Sequence, residues 1–243
     1  MAEHDAKLPS LVLLPGLGAD HRLFARQQEA FPELRIPQWL PPQPSESLSS
    51  YATRLAAQVA VTRPLILGGC SFGGMVAYEM ARALRPEALV LIGSAAAANE
   101  IPACLRWLSI ASSVIPAAGF GAVRLAALAM ARLFGIRDIE HRVLFADMLR
   151  STPPEFLRWA CTSVGRWKPQ PLTGVPTFSI HGAEDRVLLL RGRSADVIVQ
   201  GAGHLITITH AERVNQFLLE VKRRIAETAP GTVVNDPPLN NGS

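Results

Sequence analysis

Short apolar runs bounded by turn residues alternate along this chain with stretches of helical spacing. LVLLPG (Leu11–Gly16) reads as a buried strand. LRIPQWL (Leu34–Leu40) is a weaker one, demoted by Pro37, which has no N–H for a sheet ladder. SLSSYATRLAAQVAV then sets Leu48, Tyr51, Ala52, Leu55, Ala56 and Val59 on one face of a helix. PLILGG is the next strand, MVAYEMARAL the next helix, stopped by Pro86, and EALVLIGS (Glu87–Ser94) another strand. After Ser94 the alternation stops, and residues 95–170 hold helical patterns without a clear strand. It resumes with VPTFSIHG (Val175–Gly182) and ADVIVQG (Ala195–Gly201). Thr209-His210-Ala211-Glu212 fits a capping box, and Val214, Phe217, Leu218, Val221 and Ile225 form the apolar stripe of a last helix.

Strands separated by helices predict an α/β fold: a mostly parallel sheet of about six strands with helices on both faces. The core is expected from residues 1–94 and 171–227, and residues 95–170 form a helical insertion. The tail from Thr228, rich in Pro, Gly and Asn, is expected to be disordered. The uncharged stretch from Trp107 to Val123 is the one place that resembles a membrane span. Ser109, Ser112, Ser113, Pro116, Gly119 and Gly121 interrupt it, so it reads as two helices broken at Pro116–Gly121.

Composition narrows this picture without changing it. With 243 residues, 49% of them hydrophobic, one α/β domain can bury an ample core. A net charge of +4 is mildly basic, but the 21 arginines are scattered. The densest cluster, Lys222-Arg223-Arg224, reads as a solvated helix face, so a nucleic-acid partner is not expected. Cys70, Cys104 and Cys161 are widely spaced and make no metal pattern, so neither a metal nor another cofactor is expected. MAEHDAKLPS lacks the apolar run of a signal peptide, which makes a reducing cytoplasm the expected location.

The chemistry concentrates at one corner. In Gly69-Cys70-Ser71-Phe72-Gly73 a buried strand turns directly into a helix. Such corners lie at the carboxyl edge of a parallel sheet, where open α/β sheets place their sites. Glycines on either side of a central serine leave room for strand and helix to close on a strained turn, which pushes the serine outward. By register Ser71 is that central residue. The frame Gly68-x-Cys70-x-Phe72 lacks the second glycine, so Cys70 reads as a small buried filler.

A serine hydroxyl needs a base, and the base an orienting group. SIHGAEDRV puts Asp185 in the loop after one strand, and VIVQGAGHLI puts His204 in the loop after the next. Both loops arrive at the sheet edge that carries Ser71. Glu184 competes with Asp185, and Glu100 does so more weakly. His181 reads as a hydrogen-bonded core histidine, His210 as exposed, and His21 as a candidate lining residue.

LLPGLGAD, GGCSFGG, IHGAEDRV and GAGHLI together resemble the α/β-hydrolase superfamily over roughly Leu11 to Ala226. The resemblance implies an α/β-hydrolase fold in which residues 95–170 act as a lid. It also implies nucleophile Ser71, base His204 and acid Asp185, with an oxyanion hole made by the backbone N–H groups of Leu17 and Phe72. Three features depart from the common pattern. Pro15-Gly16 stands where many relatives have His-Gly, the usual N-terminal strands are not expected here, and the 18 residues between Asp185 and His204 are too few for a full helix plus a strand.

Fold alone does not decide the reaction. A serine at the corner, rather than an aspartate, disfavours dehalogenase and epoxide hydrolase chemistry. It leaves acyl transfer to water, and the expected activity is hydrolysis of carboxylic esters with short to medium apolar acyl groups. The lid residues Trp107, Leu108, Ile110, Val114, Ile115, Phe120, Leu128, Met130, Leu133 and Phe134 favour an apolar substrate, unless they only form the lid's own core. Thioesterase, lactonase, amidase, acyltransferase, perhydrolase and lyase chemistry remain open on the same residues. So does a non-catalytic homologue that binds a small ligand or a partner.

Overall fold

Five parallel strands form one sheet in the order of the chain: β1 (Ser10–Leu14), β2 (Leu65–Cys70), β3 (Ala88–Ile92), β4 (Thr177–Gly182) and β5 (Val197–Val199). These coordinates are a computed structural model that describes residues 8–111, 119, 131–190 and 194–228. The expected break at Pro116–Gly121, the apolar positions Val114, Ile115, Phe120, Leu128 and Met130, and the tail beyond Thr228 lie outside the described residues. β2 and β3 are buried at every position, as strands covered on both faces must be.

The weak run at Leu34–Leu40 contributes one bridge instead of a sixth strand. Arg35 pairs parallel with Val12, donating to Leu11 O and accepting from Leu13 N, and the ladder stops before Pro37. This stub lies beyond β1, so the chain first turns outward and then crosses back to β2. Crossovers of one hand in opposite directions put their helices on opposite faces. α1 (Ala25–Ala30) therefore lies on one face, and α2 (Leu48–Ala56) and α3 (Phe72–Leu84) lie on the other.

Alternate strand residues divide the core accordingly. Leu11, Leu13, Ile66, Val90 and Ile180 pack with Phe24 and the last helix, whereas Val12, Leu14, Leu65, Leu67, Leu89 and Leu91 pack with α2 and α3. The six positions read as one face of α2 are all buried except Val59, which is partly buried just past its end.

Among the described residues between β3 and β4, all regular structure is helical. It comprises short 3-10 turns, α4 (Ala103–Ala111), α5 (Ile139–Ser151) and α6 (Pro154–Arg166). α6 buries Phe156, Ala160 and Val164 against the α2–α3 face. α7 (Ile206–Thr209) and α8 (Ala211–Thr228) close the fold, and the whole expected stripe of α8 is buried. No helix among the described residues is long and apolar enough to cross a membrane.

Two local expectations are corrected. Thr209 does not cap α8: its hydroxyl donates to Leu205 O, and His210 O takes the first amides of the helix, because α7 occupies the residues just before it. Lys222 is not solvated. Its side chain is 2% exposed, pairs with Glu33 and lies over the Phe31 ring, so the helix buries one charge of the basic cluster.

Candidate active site

β2 runs straight into α3 at Ser71, whose φ of 51° and ψ of −121° make it one of three non-glycine residues with positive φ among the described residues. An L-residue held there stores strain that the surroundings must impose. Here the surroundings are the packed strand and helix. A β-carbon on Gly69 would stand 2.5 Å from Gly73 C, and one on Gly73 would stand 2.2 Å from both Leu14 O and Pro15 O. The flanking glycines are therefore steric requirements of the turn. Ser71 N donates to Ile92 O at 3.0 Å, and the Ser94 hydroxyl donates to Ser71 O at 2.6 Å, pinning the strained residue from β3 and the loop after it.

Cys70, one residue earlier, is fully buried under the sheet edge. Burial pushes its thiol up to about 12, and the Asp185 charge adds to this, so it stays a neutral thiol at physiological pH.

The loops after β4 and β5 deliver the partners. His204 Nε2 lies 2.9 Å from Ser71 Oγ, and His204 Nδ1 lies 2.7 Å from Asp185 Oδ2. Asp185 Oδ1 accepts from the backbone N–H groups of Val187 and Leu188 at 2.8 and 2.9 Å. Asp185 and His204 are 4% and 2% exposed, while Ser71 is partly open. Burial alone would push the Asp185 carboxyl up. Attraction to His204, acting when its ring is protonated, and hydrogen bonds from His181 and His204 outweigh it and hold the group well below the usual carboxylate range. An ionised carboxylate only accepts hydrogen bonds, so His204 carries its proton on Nδ1 and turns the Nε2 lone pair to the serine hydroxyl.

The remaining candidates fall elsewhere. Glu184 is exposed and pairs with Arg137 at 3.0 Å. Glu100 accepts from Ala96 N at 2.8 Å. His21 is largely exposed beside Asp20, and His210 is partly buried beside Thr209. Of the insertion's apolar positions, Trp107 and Leu108 point to solvent at 72% and 69% exposure, against the expectation of a core or pocket role. Phe134 does reach the site, with its ring 5.9 Å from that of His204. Its carbonyl accepts from Leu205 N at 3.1 Å.

Phe72 N is the first amide of α3, next to Ser71. Leu17 follows Gly16, where an added β-carbon would stand 3.6 Å from Ser71 Cβ, so the loop after β1 passes directly over the serine. Behind Phe72, Trp39, Tyr51, Phe156 and Trp159 form an aromatic cluster with centroid separations of 4.3 to 6.4 Å. Trp39 and Phe156 also wall a groove of about 440 Å³, with apolar Ala19, Leu40, Pro41 and Pro153 and with Asp20, Ser151, Thr152 and Glu155 as its polar members. Sequence periodicity gave no sign of this groove, because its walls come from segments far apart in the chain. Among the described residues no group of histidine, cysteine and acidic side chains is arranged to hold a metal.

Comparison with known proteins agrees with this architecture. The sequence profile of the alpha/beta hydrolase family matches residues 11–217. No curated protein sequence matches the chain significantly. Among solved structures, a thermophilic esterase from Thermogutta terrifontis (malate bound) is similar with a TM-score of 0.65 and 23% identity over 90% of each chain. An esterase from Exiguobacterium antarcticum is similar with a TM-score of 0.69 and 16% identity, over 88% of this chain and 92% of that one. MenH from S. aureus is similar with a TM-score of 0.66 and 19% identity, over 89% and 94%. Likeness at such identities carries the fold alone. The profile match across most of the chain, over a sheet whose strand-to-helix corner bears Ser71, goes further: the chain belongs to the alpha/beta hydrolase family.

Proposed function

We propose that the protein is a serine hydrolase that cleaves carboxylic esters through an acyl-enzyme intermediate, with Ser71 as nucleophile, His204 as base and Asp185 as the orienting acid. The observation that carries this reading is the unbroken relay from Ser71 Oγ through both nitrogens of His204 to Asp185 Oδ2, at 2.9 and 2.7 Å. His204 Nε2 takes the hydroxyl proton as Ser71 Oγ attacks the ester carbonyl. Asp185 stabilises the imidazolium so formed. The backbone N–H groups of Phe72 and Leu17 receive the charge that builds on the carbonyl oxygen. His204 then returns the proton to the departing alcohol, and a water repeats the sequence on the acyl-serine.

Residues 95–170 act as the cap of this site. The groove between Trp39 and Phe156 takes the acyl group: Trp39, Leu40, Pro41, Pro153 and Phe156 satisfy an apolar chain, and the Asp20 and Glu155 carboxyls among its walls disfavour an anionic one. The substrate is therefore a small uncharged ester. The chemistry needs no metal or other cofactor, and the expected setting is the cytoplasm. The description of two similar structures as esterases agrees with the reading.

A fluorophosphonate probe and a panel of nitrophenyl esters test it. The wild type should be labelled and should prefer neutral acyl chains over charged ones of equal length. Ser71→Ala should abolish both labelling and turnover, whereas Cys70→Ala should keep most of each. An unlabelled wild type that turns over no ester would leave a ligand-binding homologue as the better account.

A further inference from the structure

The acid of this site carries a second histidine. His181 sits in β4, 2% exposed, and its Nε2 lies 3.0 Å from Asp185 Oδ2, the oxygen that also meets His204. The same Nε2 lies 2.6 Å from the backbone carbonyl of Leu188. A carbonyl can only accept, so the proton must be on Nε2. His181 thus presents one N–H to two acceptors, the Leu188 carbonyl and the Asp185 carboxylate. Leu188 in turn donates its N–H to Asp185 Oδ1. The loop after β4 is closed around the carboxylate by a donor rooted in the rigid strand.

We infer that His181 is a positioning residue that fixes the Asp185 carboxylate and shares its Oδ2 with His204, thereby tuning the base. The inference rests on the reading of Asp185 as the acid of a serine hydrolase. With Oδ1 held by two amides, the carboxylate could still rock about its Cβ–Cγ bond. The His181 N–H restrains the other oxygen and keeps it aimed at His204 Nδ1. Sharing also matters electrostatically, because a second donor on Oδ2 draws off part of the charge that stabilises the imidazolium. Among the described residues, Cys70 is the titratable group besides the two histidines that acts on Asp185, and it stays neutral at working pH. Glu184 and Arg186 flank Asp185 in the chain but are exposed, and Glu184 is turned to Arg137.

The test compares His181→Gln, whose amide nitrogen reaches about as far as imidazole Nε2, with His181→Phe, which keeps bulk and removes the donor. Nitrogen-15 and proton NMR of the wild type should show His181 protonated on Nε2 and a downfield His204 Nδ1–H resonance. His181→Phe should move that resonance and lower kcat by roughly 10- to 100-fold with KM within about twofold, the range expected when a buried charge loses one donor. It should also displace the acid limb of the pH–rate profile upward. His181→Gln should restore both. If His181→Phe does not fold, His181→Asn, one methylene too short to reach Oδ2, takes its place with the same expectation. An Nδ1–H tautomer of His181 overturns the inference, and so does equal impairment of the Gln and donor-less variants, or a folded donor-less variant with wild-type kcat and acid limb. The His204 resonance needs no turnover. An inactive wild type that fluorophosphonate does not label would therefore sink the hydrolase reading while the NMR comparison still decides the role of His181.

Discussion

At the scale of single residues, backbone sterics and one hydrogen-bonded proton shape the candidate site. Ser71 is strained because Gly69 and Gly73 let β2 and α3 close beneath it. Gly73→Ala should cost at least the ~1–3 kcal/mol of core overpacking, because its β-carbon would meet immobile backbone oxygens at 2.2 Å. Urea denaturation checks the loss, and an unchanged midpoint would show that the corner has slack. Asp185→Asn keeps size but offers an amide that can favour the wrong tautomer of His204. By analogy with protease triads, turnover should fall by roughly 10⁴-fold. Glu184→Gln, on an exposed side chain paired with Arg137, should be nearly silent. Steady-state rates of the two variants separate them, and a reversed order would move the acid to Glu184.

At the scale of elements, the helical insertion and the loop that carries His204 meet at one place. Gly135 has φ of 83°, and a β-carbon on it would stand 2.7 Å from Gly203 Cα, the residue before His204. With the Phe134 carbonyl holding Leu205 N, the insertion braces the loop after β5 from outside. No helix stands between β4 and β5 among the described residues, which leaves the loop with less support from the sheet side. Gly135→Ala should thus impair ester turnover more than it lowers the thermal midpoint, because it pushes on the His204 loop and not on the main core. Parallel measurement of kcat and Tm checks this, and a large fall in Tm with normal kcat would refute the coupling.

For the whole molecule, acid should be the weak side. Asp185, Asp20, Glu33, Glu46 and Glu87 are all held below their ordinary values. In Glu46 the Arg54 guanidinium lowers the carboxyl; in Glu87 burial opposes the shift, and the Leu65 N–H and Arg63 outweigh it. A carboxyl depressed in the folded state binds its proton more readily when unfolded. Its contribution is complete above the unfolded value, near 4, and disappears as pH falls through the folded one. The urea midpoint should hold steady from pH 7 to about 5 and drop steeply below about 4. A midpoint that rose on acidification would contradict the sign.

Local pattern by itself determined the five strands of the sheet, though it also read Leu34–Leu40 as one, together with the buried faces of α2 and α8 and the serine corner. Each depends on interactions within a few residues: apolar periodicity, a proline that ends a ladder, glycines that admit a tight turn. It also placed Asp185 and His204 in loops at the sheet edge that carries Ser71, since parallel strands deliver their following loops to one side. Only tertiary structure decided what those loops touch. The pairing of His181 with the same oxygen as His204, the reach of Phe134, the burial of Lys222 and the groove between Trp39 and Phe156 all join segments far apart in sequence. Such contacts depend on how layers of helix settle on the sheet, which spacing along one chain does not encode. The same reason explains why Trp107 and Leu108, apolar by sequence, face solvent: an apolar side chain is buried only where another surface comes to meet it.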